Sequence, residues 1–178
     1  MFTFCPSCAS KKIAFDDINV FRCPDCGFVY YHNTAAATGC LIYVPDTERL
    51  VFMVRGNEPG AGKLDLPGGF VDPGEGVLEG LYRELREEIG WTPPGADLPQ
   101  VFTLFASFPN VYPYKGINYN TCDLFFTVSA PGLKPEDLHL EKSEIAAVRF
   151  LKPEEINYDD IAFESIKRAV RAFVHRRS

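Results

Sequence analysis

The sequence predicts an α+β protein: one mixed β-sheet covered by helices, preceded by a small cysteine-bounded β-ribbon. Three observations carry this expectation. Four of the 6 cysteines stand at the start of the chain as C-x2-C-x14-C-x2-C. Behind them, apolar stretches follow in the order strand, strand, helix, strands, helix, which suits a sheet with a helix on each face. The chain has 178 residues, 46% hydrophobic and 24% charged, enough for one good core and a small appended unit.

Residues 1–33 form the ribbon. Cys5-Pro-Ser-Cys8 and Cys23-Pro-Asp-Cys26 place four soft thiolates in two knuckle-like turns, a set suited to tetrahedral Zn2+. Two disulfides or two redox-active pairs are the alternatives. A thioredoxin-type site needs its C-x-x-C before a helix in a βαβ unit, and neither pair has that setting. Residues 13–15, 20–22 and 28–31 read as short strands. A segment this small cannot bury a core, so metal supplies most of its stability. The aromatic run 28–31 is expected to pack against something, and the ribbon to serve the larger domain, roof its pocket or help a dimer form. Cys40 and Cys122 sit in apolar, strand-like runs and read as buried free thiols.

The larger domain is expected over residues 34–178. Residues 35–44 and 50–55 read as two strands joined by a turn at 45–48. A loop rich in glycine and proline covers 57–62, and residues 64–71 lead into the turns Pro67-Gly68-Gly69 and Asp72-Pro73-Gly74. Next comes a helix whose apolar stripe is Val77, Leu78, Leu81, Leu85 and Ile89, stopped by Gly90. Thr92-Pro93-Pro94-Gly95 breaks the chain. Residues 100–108, 121–129 and 144–151 are further strands, and 107–121 reads as an aromatic-rich loop. A last helix starts at about Asp160, with Asp159 as its N-cap and Ala162, Ile166, Ala169, Val170 and Phe173 inside.

The central helix carries an electrostatic problem. Glu84, Glu87 and Glu88 stand at i, i+3 and i+4 and share one face. Like charges there repel, and two lie in the last turn, where the helix dipole disfavours anions. A hard divalent cation, Mg2+ or Mn2+, compensates this; a merely solvated acidic face is the plain alternative.

The surrounding pattern is long and fixed: G-x5-E-x7-R-E-U-x-E-E-x-G-U, with U a bulky apolar residue. Its fixed positions are Gly69, Glu75, Arg83, Glu84, Glu87, Glu88 and Gly90, and Leu85 and Trp91 fill the apolar ones. The stretch resembles the signature of the Nudix hydrolases. That resemblance covers about residues 35–175 and implies an α/β/α sandwich around a mixed sheet. It also implies cleavage of the diphosphate linkage of a nucleoside diphosphate derivative. Carried over by position, Glu84, Glu87, Glu88 and the carbonyl of Gly69 are the implied Mg2+ or Mn2+ ligands. Arg83 pairs with Glu75 to hold the loop on the helix. The general base is Glu87 or an acid from a distant strand; Glu144 fits the second description, as ligand or base, with a surface salt bridge as its alternative.

Substrate candidates follow from the aromatics. Phe108, Tyr112, Tyr114 and Tyr119 offer faces for a base, and Lys115 a cation for a phosphate; a local apolar cluster or a dimer seam is the alternative. The ribbon before the signature is similar to the NADH pyrophosphatase arrangement. That subgroup's Ser-Gln-Pro-Trp-Pro-Phe-Pro-x-Ser stretch is replaced by Ser107-Phe108-Pro109-Asn110-Val111-Tyr112-Pro113. NADH-like dinucleotides, ADP-ribose and nucleotide sugars are the expected substrates. A non-catalytic nucleotide-sensing module with a partner-binding ribbon is the rival reading; such modules typically lose signature glutamates, and here all are present.

Charge and composition exclude other classes. A net charge of −6 argues against a general nucleic-acid binder. The basic end, Lys167 to Arg177, reads as a solvated helix face. Met-Phe-Thr-Phe-Cys lacks the basic and apolar regions of a signal peptide, and no apolar run is long enough for a membrane span, so a cytoplasmic location is expected. Nudix enzymes with such a ribbon resemble homodimers, which makes a homodimer a further expectation.

Overall fold

The computed structural model describes residues 2–95 and 98–177. The chain divides into two compact units, Met1–Thr34 and Ala35–Ser178.

The first unit is a three-stranded antiparallel sheet: β1 (Ala14–Phe15), β2 (Val20–Arg22) and β3 (Val29–Tyr31). Its small apolar centre is Val20 and Phe21, with Phe15 stacked on Phe21 at 4.6 Å and Phe2 set edge-on at 4.9 Å. Of the run 28–31, expected to pack against something, Phe28 is half-buried and Val29–Tyr31 are exposed; Tyr30 meets the rings of Phe2 and Phe21.

The second unit holds a six-stranded mixed sheet of order β6-β5-β4-β8-β7, with β9 on β5. The strands are β4 (Ala35–Val44), β5 (Arg49–Arg55), β6 (Leu64–Asp65), β7 (Thr103–Tyr114), β8 (Ile117–Ser129) and β9 (Ile145–Leu151); the helices are α1 (Val77–Ile89), α2 (Leu98–Val101) and α3 (Glu164–Arg177). β4 and β8 run parallel, and the other pairings are antiparallel. Alternation sends side chains to two separate cores. Cys40, Ile42, Val51, Met53 and Phe126 pack with Leu81, Leu85 and Ile89 of α1. Leu41, Leu50, Phe52 and Phe125 pack with Ile166, Ala169, Val170 and Phe173 of α3. The two helices therefore cover opposite faces, giving the α/β/α sandwich.

The sheet parts where the site is built. Along the edge of β5 opposite β9, β4 pairs at Arg49–Leu50 and β6 at Met53–Val54. Beyond that point the glycine turn runs against β4 instead. Cys40 N–H donates to Pro67 O, Thr38 N–H to Gly69 O and Val71 N–H to Ala36 O. Gly68 makes this approach feasible: its φ is +139°, and a Cβ there would lie 2.3 Å from Thr38 O.

Helix α1 begins where Glu79 accepts from Gly76 N–H at 2.6 Å and ends where Gly90, with φ +60°, closes the turn onto Arg86 O. Trp91 then folds back against the core beside α1, so its bulk is used in packing.

Four sequence expectations change. The stretch 107–121 is not a loop: β7 and β8 form one long hairpin closed by Lys115-Gly116, both at positive φ, as a tight two-residue turn requires. Pro109 and Pro113 are tolerated because β7 is the sheet edge. Gln100 belongs to the short α2 rather than to a strand. Helix α3 starts at Glu164, and Asp159 instead sits in a 3-10 turn with Ala162 outside the helix. Cys40 is buried but Cys122 is exposed, because β8 alternation turns Thr121 and Asp123 inward. Among the described residues no helix is long and apolar enough to cross a membrane.

Candidate active site

Arg83 organises the start of the site. Its Nε and Nη2 donate to the two oxygens of Glu75 at 2.7 and 3.1 Å, and Nη2 also donates to Phe70 O at 3.0 Å. Its Nη1 donates to Glu84 at 2.9 Å and to Glu87 at 3.1 Å. The Arg83 bond, with the Asp72 N–H, holds the Glu75 carboxyl below the usual range. A bidentate guanidinium fork thus ties the loop to the helix.

Two glutamates of α1 turn into a cavity of about 290 Å³ beside the glycine turn. Glu88 is only 9% exposed, and its Oε2 accepts from Gly68 N–H at 2.8 Å. Burial pushes its pKa well up, the Gly68 bond opposes this, and the charges of Glu84, Asp65 and Glu144 add to the rise. Glu84 is raised as well, first by burial, with Arg83 opposing and Glu87 and Glu144 adding. A Cβ at position 69 would lie 2.6 Å from Glu84 Oε1, so only glycine leaves room for that carboxylate. Glu144, in the turn just before β9, lines the same cavity. Its carbonyl accepts from Gly56 N–H at 2.6 Å, which fixes the backbone from which the side chain springs.

The opposite character comes from Arg55. It pairs with Asp65 at 2.5 Å, donates to Pro59 O and Tyr112, and lies 5.0 Å from the centre of the Phe163 ring. Asp65 is raised by burial despite that partner. Phe70 meets Tyr112 edge-on at 5.6 Å, and Tyr112 meets Phe163 at 5.5 Å, so aromatic faces border the acidic groups. A second cavity of about 470 Å³ shares Arg55, Phe70, Glu88, Tyr112 and Glu144 with the first, and Tyr114 lines it.

The structure brings Glu84, Glu88, Gly69, Glu144 and Tyr112 together on the first cavity. It does not bring all the expected groups there. Glu87 is exposed and turned to Arg83. Phe108 packs on Phe125 under Arg168, Lys115 sits at the hairpin tip over Tyr114, and Tyr119 is half-buried on β8 opposite Tyr112. Arg55, Asp65, Phe70, Asp123 and Phe163 were not singled out from the sequence. Asp65 carried a signal: an acid inside Leu64-Asp65-Leu66, where an apolar residue is expected.

The donor chemistry fits a hard divalent cation. The partly buried Glu84 and buried Glu88 offer carboxylate oxygens whose charges oppose one another, the exposed Glu144 adds a third carboxylate, and Gly69 leaves space beside Glu84. Among the described residues, however, only the cysteines bring ligand atoms within 4.8 Å of one another. There, Cys5 and Cys26 lie 3.7 Å apart, as do Cys8 and Cys23, and no disulfide joins them. Tetrahedral thiolates about 2.3 Å from zinc have nearly this edge length.

This sandwich, with its glycine turn and glutamate helix, defines a Nudix-type domain. The NUDIX domain model matches residues 33–173, and the chain belongs to that family. It is 32% identical over 87 residues to the NAD-capped RNA hydrolase NudC of Pseudomonas aeruginosa, covering 49% of this chain and 30% of that one. It is 35% identical over 75 residues to the ADP-ribose pyrophosphatase of Methanocaldococcus jannaschii, covering 42% and 43%. The matched segments thus span less than half the length of these curated relatives. A NUDIX hydrolase from Nitrosomonas europaea shares the fold with a TM-score of 0.63 at 22% identity, over 98% of this chain and 93% of that one. The NUDIX domain of Shewanella oneidensis NrtR, solved with ADP ribose, does so at 0.64 and 15% identity, over 82% and 90%.

Proposed function

We propose that the chain is a metal-dependent pyrophosphohydrolase that cleaves the diphosphate of a nucleoside diphosphate derivative by water attack on phosphorus. The observation that carries this is the meeting of Glu84, Glu88 and Glu144 on one cavity with aromatic and arginine side chains on the same wall. Glu84 and Glu88 would hold Mg2+ or Mn2+, with the Gly69 carbonyl, which also accepts from Thr38, as a further candidate ligand; such an ion would neutralise phosphate oxygens and acidify water. Glu144 takes the proton of the attacking water as its oxygen bonds to phosphorus and the bridging P–O bond breaks. Its place on the cavity wall favours it over Glu87, which faces Arg83. Arg55 sets a fixed positive charge beside the phosphates, and Arg83 with Glu75 keeps α1 in register with the loop. Phe70, Tyr112 and Phe163 shut water out and offer stacking faces.

NADH-like dinucleotides, ADP-ribose and nucleotide sugars are the substrates; the NudC and ADP-ribose pyrophosphatase likenesses support the first two. The Cys5, Cys8, Cys23 and Cys26 cluster holds one structural Zn2+, which folds residues 1–33 as a unit before the catalytic domain of 34–178. The test is a panel of these diphosphates with Mg2+ or Mn2+, products read by mass. Release of a mononucleotide by the wild type, lost in Glu84→Gln and Glu88→Gln protein, is the expected result. No turnover of any member by folded, metal-supplied protein overturns it.

A further inference from the structure

Thr121 and Asp123 alternate with exposed residues on β8, so both point to the α3 face of the sheet. Thr121 is 3% exposed and Asp123 8%, yet both line the cavity that holds Glu84 and Glu88. One oxygen of Asp123 is engaged: Oδ2 accepts from the fully buried Ser165 hydroxyl at 2.6 Å. Among the described residues, Asp123 Oδ1 and Thr121 Oγ1 have no hydrogen-bond partner. Buried polar oxygens left unpaired cost stability, and a protein keeps two neighbours in that state where something else completes them. Ser165 locks the carboxylate orientation, so the free acceptor is fixed. Phe125, Phe163 and Ile166 supply apolar wall to the same cavity.

We propose that Asp123 and Thr121 form a base-reading subsite that accepts an exocyclic amino group, so that the site selects amino-bearing nucleobases over their oxo counterparts. The subsite deepens the hydrolase reading and rests on it for the placing of the diphosphate at the glutamates. Asp123 Oδ1 accepts the amine N–H. Thr121 Oγ1 donates to the adjacent ring nitrogen. Asn110, opposite Thr121 across the β7–β8 ladder and on the same cavity, borders the ring edge. A carbonyl in place of the amine faces a carboxylate oxygen and is rejected, because two acceptors then meet out of water.

Free nucleosides test this apart from catalysis, since they carry no phosphate and need no divalent ion. Binding of adenosine, inosine, cytidine and uridine to the full chain is measured by ligand-observed NMR titration. The wild type binds adenosine over inosine, and cytidine over uridine, by roughly tenfold or more. Asp123→Asn keeps an oxygen for Ser165 and turns an amide donor to the base, so the preference vanishes or reverses. Thr121→Val, of nearly the same shape, weakens adenosine binding by roughly fivefold while the thermal stability of the free protein is kept or raised. Equal binding of amino and oxo bases overturns the proposal; that is the outcome if a trapped water alone completes these oxygens. A preference that survives Asp123→Asn, or no nucleoside binding at all, also overturns it. So does a loss that follows the sugar, with 2′- and 3′-deoxyadenosine weak and inosine equal to adenosine. Failure of the diphosphate panel with the amine preference intact removes the hydrolase reading and leaves the subsite standing.

Discussion

Gly69 and Glu84 fit together by what the glycine lacks: a Cβ at 69 would sit 2.6 Å from Glu84 Oε1 and 2.8 Å from its carboxyl carbon. Gly69→Ala therefore displaces the Glu84 side chain while leaving the core untouched. We expect turnover to fall by about 100-fold, as for a comparable misplacement in other sites, with little change in melting temperature. Gly68→Ala should strike stability as well as turnover, since the Gly68 N–H also holds Glu88. A Cβ at 68 would meet backbone at φ +139°, so the chain loses about 3 kcal/mol of stability, read by denaturant titration.

Glu88 opposes folding at the place where we propose that it holds the metal. Its folded pKa is raised by burial, so the folded state holds the proton more tightly than the unfolded state. Its penalty is absent below the ordinary glutamate pKa of about 4.3 and grows as pH rises above it, until the folded group ionises. Glu88→Gln keeps an acceptor for Gly68 N–H and removes that penalty. In chelator, the variant should melt several degrees above wild type at pH 7–8 and match it near pH 4. The same variant should lose about 100-fold or more of metal-dependent turnover.

Glu75 behaves with the opposite sign. Arg83 lowers its folded pKa, so its contribution is present above the ordinary glutamate value and lost as pH falls through the folded one. Glu75→Gln should narrow the stable range at neutral pH and become indistinguishable from wild type in acid. Arg83→Lys cannot reproduce the fork to both Glu75 oxygens; turnover should drop by about 10–100-fold with the fold intact by circular dichroism.

The ribbon gives an independent readout. Metal analysis of protein purified without chelator should find one zinc per chain. Cys5→Ser should abolish it. Proteolysis should then trim residues 1–33 first, because three short strands around Val20 and Phe21 do not hold without the metal.

Much of the architecture was legible because it rests on local rules. The α1 stripe, its Gly90 stop and the strand at 35–44 follow from periodicity and a glycine in the left-handed region. The cysteine spacing foretold a cluster that the structure closes to 3.7 Å contacts. The hairpin of β7 and β8 was missed because two prolines and a glycine signal loop locally, and only a place at the sheet edge makes the prolines harmless. Asp159 has the chemistry of a cap but no helix follows it until Glu164, which tertiary packing of Ile161 decides. Site residues split the same way. The glutamates and Arg83 announced themselves by spacing within one helix. Arg55, Asp65, Asp123 and Phe163 come from β5, β6, β8 and the approach to α3, and only the folded sheet makes them neighbours.

The lacing of the glycine turn to β4 rests on three main-chain ties, Cys40 to Pro67, Thr38 to Gly69 and Val71 to Ala36, with the Thr38 hydroxyl adding a longer bond to Gly69 O. Exchange of the side chains that line the cavity thus leaves those three ties in place. Over generations, or in the laboratory, such a chassis can trade one leaving group for another by altering positions such as 110, 112, 123 and 163, while the acidic machinery stays where it was.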